Sequence, residues 1–233
     1  MLAGRGGDAF MQYRHEWKHE ISPADRRILL TRLGAVMQRD PHAVNGSYQI
    51  RSLYFDTPGD DALREKLDGV NHRDKYRIRY YNGDLSYLVL EKKSKHNGLC
   101  VKQSCRLSVQ EAEKLAVGDF DWLAHADRPL CVELWSVMNA KGLRPKTIVD
   151  YLRTPFVFGP GNVRVTIDEQ IRTGMQRTDF LNPDTLTLPA GDSPIILEVK
   201  WAAFLPDIIR DAVSLPGRRA GAFSKYAQCR IYG

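Results

Sequence analysis

The chain has 233 residues, of which 43% are hydrophobic and 27% charged, so it has the composition of a soluble globular protein with one large domain or two small ones. Its net charge of +6 favours an anionic partner, although charge alone does not separate nucleic acid, phosphate compounds and anionic lipid. No apolar run reaches the roughly 18 to 20 residues that span a bilayer, and the first ten residues lack a signal-peptide core, so we expect a cytoplasmic protein without a membrane segment of its own.

The first predicted elements are a charged strand and a helix. Charged residues occupy every second position in residues 13–21, which predicts a strand with Arg14, Glu16 and Lys18 on one face. Ser22 is a good N-cap and Pro23 suits the first helical position, so a packing helix is predicted over residues 24–38.

A strand over residues 49–56, a short helix over residues 60–67 and a second strand over residues 74–81 follow. In the second strand one face carries apolar and aromatic side chains, and the other carries three cations, Lys75, Arg77 and Arg79. A solvated surface strand can show the same alternation, so this strand alone does not establish a site.

The same pattern recurs in the next two strands. Asn82-Gly83 predicts a hairpin turn into a strand over residues 86–93, where Glu91 and Lys93 share a face. Residues 99–107 then place Lys102 and Arg106 on one face of a further strand. A capping box at Ser108 opens a helix, and another helix is predicted over residues 128–139, both as external cover.

The second half returns to strands, at residues 145–158, 162–168 and 194–201, before a helix over residues 207–214. Arg164 and Asp168 share one strand face, and so do Glu198 and Lys200. We find no repeat or linker, so we predict a tail of residues 1–12 that is poorly ordered, followed by a single domain over residues 13–233.

The charged strand faces are predicted to point inward. The uncharged faces and the helices are apolar enough to pack on each other, with the helices on the outside of a curved sheet. The predicted fold class is therefore α+β, with a closed antiparallel β-barrel of about eight strands and helices packed outside. Cations gathered inside such a barrel are unfavourable for stability unless they are paired or hydrated, but they bind a polyanion well. The alternative is an open antiparallel sheet whose charged face is exposed to solvent.

Several separated motifs in this order resemble a known family. They are Glu16-Trp17-Lys18, residues 50–56, residues 75–80, residues 90–93, residues 164–168, residues 197–200 and Ser224-Lys225-Tyr226. With these motifs, the chain resembles the VTC domain of polyphosphate polymerases, a branch of the triphosphate tunnel metalloenzymes, from about residue 13 to the C-terminus.

The resemblance implies a tunnel that binds ATP or another triphosphate together with polyphosphate, and a Mn²⁺ or Mg²⁺ ion held by acidic residues. The wider superfamily carries Glu-x-Glu-x-Lys on its first strand, whereas this chain has Arg14 at the first position. This departure favours the polymerase branch and removes one candidate metal ligand. The eukaryotic enzymes of the family work in membrane complexes, so membrane association of this chain would require a membrane-protein partner.

The resemblance and the strand faces together give the candidate site residues. The predicted phosphate ligands are Lys18, Lys75, Arg77, Arg79, Lys93, Lys102, Arg106, Arg153, Arg164, Lys200 and Lys225. Five of them are predicted to be catalytic: Lys18, Arg77, Arg79, Lys93 and Lys200. The predicted metal ligands are Glu198 first, and then Glu16, Glu91 and Asp168, each of which could instead orient a neighbouring cation.

Three functions compete at this stage. The first is a metal-dependent polyphosphate polymerase; the second is a triphosphatase that hydrolyses tripolyphosphate or a nucleoside triphosphate with water as the nucleophile. The third is a non-catalytic module that binds polyphosphate, inositol phosphates or RNA. A nucleic-acid partner is not expected, because the sequence shows no exposed platform of interleaved aromatic and basic residues.

Overall fold

The computed structural model describes residues 14–96, 99–217 and 220–232. The predicted tail over residues 1–12 lies outside the described residues. The strands are β1 (His15–Ile21), β2 (Gln38–Arg39), β3 (Tyr48–Asp56), β4 (Arg73–Tyr81), β5 (Asp84–His96), β6 (Leu99–Leu107), β7 (Arg144–Phe158), β8 (Val163–Thr173), β9 (Leu188–Pro189) and β10 (Ile195–Trp201). The α-helices are α1 (Pro23–Val36), α2 (Asp61–Leu67), α3 (Val109–Ala116), α4 (Pro129–Lys141), α5 (Asp207–Val213) and α6 (Lys225–Ile231).

Eight of the strands form one curled antiparallel sheet in the order β1-β10-β8-β7-β3-β4-β5-β6, while β2 adds to β7 and β9 to β8. The sheet is a half-barrel, which confirms the predicted α+β class and the eight curled antiparallel strands. A closed barrel was predicted, but in the described residues β1 and β6 end the strand order without pairing with each other. Its concave face is bridged by side chains, since Lys93 Nζ on β5 lies 3.2 Å from Glu16 Oε2 on β1.

Helices α1, α3, α4 and α5 cover the convex face, as predicted, whereas α6 packs on the concave side, where Tyr226 shares an apolar cluster with Tyr54 and Tyr151. Leu29 and Leu33 of α1 belong to one apolar cluster with Val165 and Val199 of the sheet. The apolar side of β4 packs with α3 and α4 in a second cluster, which contains Tyr76, Ile78, Tyr80, Leu115 and Leu134. Because neighbouring side chains on a strand point to opposite faces, the cations of β4 lie on the concave face.

Local sequence signals explain several element boundaries. Ser22 and Ser108 both form capping boxes, with Asp25 and Glu111 respectively. Asn82 and Gly83 both have positive φ, at 50° and 72°, as the tight hairpin between β4 and β5 requires.

Two predictions about helices need correction. The first helix was predicted to reach Gln38, but α1 ends at Val36. Met37 is extended and buried, and this lets Gln38 and Arg39 pair with Val157 and Phe156 of β7. The C-terminal α6 was not predicted, although Ser224 caps it by accepting a hydrogen bond from the backbone of Ala227.

Within the described residues, every helix is too short or too polar to cross a lipid bilayer.

Candidate active site

The strand register collects charged side chains into rows across the concave face. Residues that lie directly opposite on antiparallel strands point to the same side of the sheet. Lys75, Lys93 and Lys102 form one such row across β4, β5 and β6. On the far side of the half-barrel, Glu16 lies opposite Lys200, and Lys18 lies opposite Glu198.

Two carboxylates and two lysines form the first cluster of the site. Lys18 Nζ lies 2.7 Å from Glu16 Oε1 and 3.4 Å from Glu198 Oε2. Lys200 Nζ bridges the same two carboxylates, at 2.6 Å from Glu198 and 3.5 Å from Glu16. Burial and the charge of Glu198 would raise the pKa of Glu16, but its three lysine neighbours outweigh both and lower that pKa to about 2. Burial raises the pKa of Glu198 as well, but Lys200, Lys18 and other nearby cations hold it well below its usual value, so both glutamates are ionised in the neutral pH range.

The second cluster joins β7, β8 and α6. Asp168 accepts two hydrogen bonds from Arg153, of 2.6 and 2.7 Å, and lies 2.5 Å from Lys225 Nζ. Burial raises the pKa of Asp168, but these two cations reverse the effect and hold that pKa below its usual value. Tyr151 lies under Arg153 and Lys225, with ring-centroid distances of 5.4 and 4.7 Å.

The third cluster is built around Glu91 on β5. Arg77 Nε lies 2.8 Å from Glu91 Oε2, Lys102 Nζ lies 2.5 Å from Oε1, and Arg79 also donates to this carboxylate. Arg77 Nη1 donates a further hydrogen bond of 2.7 Å to the hydroxyl of Tyr54. Burial raises the pKa of Glu91, but the three cations hold it far below its usual value. Glu91 therefore positions both guanidinium groups.

The C-terminal segment, residues 221–226, crosses one side of the concave face. Gly221 donates its backbone N–H to Lys18 O at 2.8 Å, and Lys18 Nζ donates to Phe223 O at 3.3 Å. Lys75 Nζ donates to Ser224 Oγ at 3.3 Å and lies 5.3 Å from the ring centre of Tyr226. The segment thus delivers Lys225 to Asp168 and covers Lys75.

Lys75 differs from the other cations of the site in its electrostatic surroundings. Burial lowers its pKa most, and three nearby cations lower it further, to about 7; these are Arg73, Lys66 and Lys18. Its cross-strand neighbour Lys93 is also cationic. A phosphate placed here would relieve the repulsion that the bare protein carries.

Arg106 and Arg164 lie towards the margins of the concave face. Arg164 Nη2 donates to Asp40 Oδ2 at 2.8 Å and to the hydroxyl of Tyr48 at 2.5 Å. Arg106 lies 3.7 Å from the ring centre of Tyr87 and donates to Ser86 O at 3.2 Å.

The predicted phosphate ligands differ widely in side-chain exposure. Lys93 and Lys102 are 44% and 54% exposed, although each also contacts a carboxylate, of Glu16 and Glu91 respectively. Arg79 and Arg153 are only 7% and 12% exposed beneath their carboxylates. The two exposed lysines thus offer charges on flexible stems, and the buried arginines offer fixed ones.

The residues present fit a divalent ion only in part. Among the described residues, no group of three or more His, Cys, Asp or Glu side chains is placed to hold a metal. Glu16 and Glu198 nevertheless converge, because each lies within 3.5 Å of both Lys18 and Lys200. Two carboxylates suffice if phosphate oxygens supply the remaining ligands of a hard cation. All four candidate carboxylates have several cationic neighbours, but Glu91 and Asp168 differ in accepting hydrogen bonds from arginines.

Sequence reasoning named Lys225 and its motif, but it missed the tyrosines of the site and the helix α6 that carries Lys225. Tyr54 and Tyr151 lie on the charged face but read as ordinary packing residues in strands. The N-cap signal at Ser224 could have revealed α6, and with it the placement of Lys225.

The chain was compared with protein families and with curated proteins. The family model of the VTC domain matches residues 13–231. A comparison with curated proteins gave no match.

Solved structures share the fold at low sequence identity. HpAC1 from Hippeastrum, a protein described as having a dominant triphosphatase activity, superposes with a TM-score of 0.57 and 14% identity, over 93% of this chain and 94% of that one. The PH1012 protein from Pyrococcus horikoshii OT3 superposes with a TM-score of 0.50 and 13% identity, over 93% of this chain and 99% of that one. These likenesses show a triphosphate tunnel fold.

Proposed function

This chain belongs to the VTC domain family, and on that premise we propose that it is a metal-dependent polyphosphate polymerase that transfers phosphoryl groups from ATP to a growing polyphosphate chain. The observation that carries the proposal is the convergence of cations from six strands and α6 on one concave face. They are Lys18, Arg77, Arg79, Lys93, Lys102, Arg153, Lys200 and Lys225.

Phosphoryl transfer needs positioning and charge neutralisation more than covalent chemistry by the protein. Asp168 fixes the guanidinium of Arg153 with two hydrogen bonds, and Glu91 fixes those of Arg77 and Arg79. Cations held in this way meet the developing charge of a transferring phosphoryl group without reorganising. The carboxylates therefore support catalysis by orienting arginines.

Glu198 and Glu16 are the residues that would hold the divalent ion. Such an ion, Mn²⁺ or Mg²⁺, neutralises charge on the phosphate oxygens when it is bound. Lys18 and Lys200, which bridge the two glutamates, are then positioned to bind the same phosphates.

The polymerase reaction requires two phosphate compounds on the concave face at once. A terminal oxygen of the polyphosphate chain forms a bond to the γ-phosphorus of ATP, while the bond from that phosphorus to the β,γ-bridging oxygen breaks and ADP leaves. The exposed lysines Lys93 and Lys102 are suited to hold a chain that must advance, because a lysine is a flexible point charge.

A triphosphatase is the second candidate, favoured by the likeness to HpAC1, for which a dominant triphosphatase activity is described. It uses the same cations, but water replaces the terminal oxygen of the chain as nucleophile. The products, rather than the bound substrate, therefore separate the two functions.

The deciding experiment incubates the purified chain with ATP and Mn²⁺, and follows long polymer on a gel together with free phosphate. Polymer formation supports the polymerase, and phosphate without polymer supports the triphosphatase. Tight binding of polyphosphate with neither product would overturn both and leave the non-catalytic binding module. Arg77→Ala provides the matched inactive protein, because it removes one of the positioned cations.

A further inference from the structure

Three tyrosines, Tyr48, Tyr81 and Tyr87, form a row of contacting rings, called here the aromatic floor, at one end of the concave face. The ring centres of Tyr48 and Tyr81 are 5.3 Å apart, and those of Tyr81 and Tyr87 are 6.3 Å apart. Tyr48 is buried, whereas Tyr87 is 48% exposed. The floor therefore runs from the interior to an open edge beside the β4–β5 hairpin.

Cations connect this floor to the phosphate-binding clusters. The guanidinium of Arg79 lies 5.2 Å from the ring centre of Tyr81, and Arg79 is one of the cations held by Glu91. Val89 lies opposite Arg79, and Tyr87 precedes it by two residues on β5. A strand rises about 3.3 Å per residue, so Tyr87 lies about 7 Å along the strand from the row of Arg79.

Arg106 completes the edge of the floor. Its guanidinium covers Tyr87 at 3.7 Å, and its hydrogen bond to Ser86 O holds it there. Tyr87 is still half exposed, so ring surface stays accessible. A chain of phosphates alone makes no use of an open aromatic ring, whereas a nucleotide presents both a polyanion and a flat base.

We propose that Tyr87 and Arg106 form the nucleobase platform of this site, with Tyr81 and Tyr48 as its support and the triphosphate directed towards Arg79. This inference rests on the proposed function, since it requires a nucleoside triphosphate on the concave face. It also gives Arg106 a different role from the predicted phosphate ligand. Because every base offers a stacking face, the platform binds nucleoside triphosphates with little preference among bases.

The test compares ATP with inorganic tripolyphosphate, which has the same number of phosphates but no base. Binding of each is measured by calorimetry at one fixed Mn²⁺ concentration. Tyr87→Ala is expected to weaken ATP binding by about 5-fold to 50-fold, the range expected for a lost stacking contact. Its binding of tripolyphosphate stays unchanged, and Tyr87→Phe, which keeps the ring, binds both ligands like the wild type.

Two further variants make the test specific. Arg106→Ala is expected to weaken ATP binding and spare tripolyphosphate, whereas a phosphate-binding Arg106 would weaken both. Tyr232→Ala removes an exposed tyrosine, 58% accessible, at the C-terminal end of α6, and it is expected to change neither affinity. Circular dichroism melting confirms that each variant is folded.

The outcomes separate this inference from the function on which it rests. Equal loss of ATP and tripolyphosphate affinity in Tyr87→Ala, or no loss of ATP affinity, overturns the platform while the wild-type protein still binds phosphates. A wild-type protein that binds neither ligand overturns the proposed function, and the platform with it.

Discussion

Arg153 and Asp168 face each other across β7 and β8 and are joined by two hydrogen bonds, Nε to Oδ1 at 2.6 Å and Nη2 to Oδ2 at 2.7 Å. Asp168 is fully buried, and it also receives Lys225 from the C-terminal helix α6. A single carboxylate thus fixes two cations from distant parts of the chain. Its neutralising role explains how a face rich in cations can be stable before any polyanion binds.

Asp168→Asn is expected to destabilise the protein by about 3 kcal/mol, because it removes the carboxylate that the buried Arg153 and Lys225 share and leaves only the more distant Glu198, 3.9 Å from Arg153. Urea unfolding measures the loss. Added tripolyphosphate should raise the melting temperature of this variant more than that of the wild type, since a bound anion replaces the missing charge.

The control for this effect is the exposed pair of Asp207 and Arg210 on α5, with a 2.7 Å contact. Asp207→Asn is expected to cost less than about 1 kcal/mol, because solvent screens both charges. Equal losses of unfolding free energy in Asp168→Asn and Asp207→Asn would show that the burial of Asp168 does not strengthen its ion pairs.

Arg77→Ala is expected to lower turnover by about 100-fold or more, the usual effect of losing one positioned donor at a transition state. The fold should persist, because Glu91 keeps Arg79 and Lys102 as partners. The measurement is the initial rate of product formation with ATP and Mn²⁺, beside a melting curve. Arg27→Ala, on an exposed position of α1, is the matched arginine control and should keep the wild-type rate. Normal activity of Arg77→Ala would argue against the concave face as the active site.

Much of the fold could be predicted because charged and apolar side chains alternate regularly along the strands. The run from Lys75 to Tyr80 sorts cations from apolar residues, and the structure places the apolar set in the core and the cations on the concave face. Capping residues such as Ser108 and the Asn82-Gly83 turn fixed several boundaries through local chemistry. Local signals of this kind do not depend on the rest of the fold.

The grouping of charges could not be predicted in the same way. The alternation of side chains along a strand assigns Glu91 and Glu198 to the correct face of the sheet, but it does not predict which cations contact each carboxylate. Those contacts depend on the curvature of the sheet, which brings Lys93 on β5 to Glu16 on β1 across 77 positions of sequence. The aromatic floor was missed for a similar reason, because the sequence does not distinguish a strand tyrosine that packs in the core from one that lines the site.

Glu198→Gln is expected to raise the Mn²⁺ concentration for half-maximal activity by about ten-fold or more, as loss of a metal-coordinating group does. Glu16→Gln should act in the same direction. Electron paramagnetic resonance of Mn²⁺ in the presence of tripolyphosphate reports binding directly and does not depend on turnover.

Glu133→Gln is the control for the metal experiment. Glu133 pairs with Lys92 away from the concave face and should leave the Mn²⁺ dependence unchanged. If Glu198→Gln loses activity but keeps the wild-type Mn²⁺ affinity, Glu198 serves only to position Lys18 and Lys200.

Lys75 is expected to make polyphosphate binding depend on pH. Its pKa in the folded protein is lowered from 10.5 to about 7, so between these values the unfolded chain holds a proton that the folded chain has lost. For this group, stability therefore rises as pH rises through that interval. Binding has the opposite sign, because a phosphate favours the charged lysine: affinity should fall as pH rises above about 7, and binding in this range should take up a proton.

Calorimetry of tripolyphosphate binding at pH 8, in buffers with different ionisation enthalpies, counts that proton. The phosphate itself can also take up protons, so the comparison is with Lys75→Arg, whose guanidinium stays charged throughout. The variant should show a smaller proton uptake and a flatter decline of affinity between pH 7 and 9. Identical proton uptake in both proteins would mean that Lys75 stays charged in the free protein, and that Ser224 and Tyr226 cover a cation rather than a neutral amine.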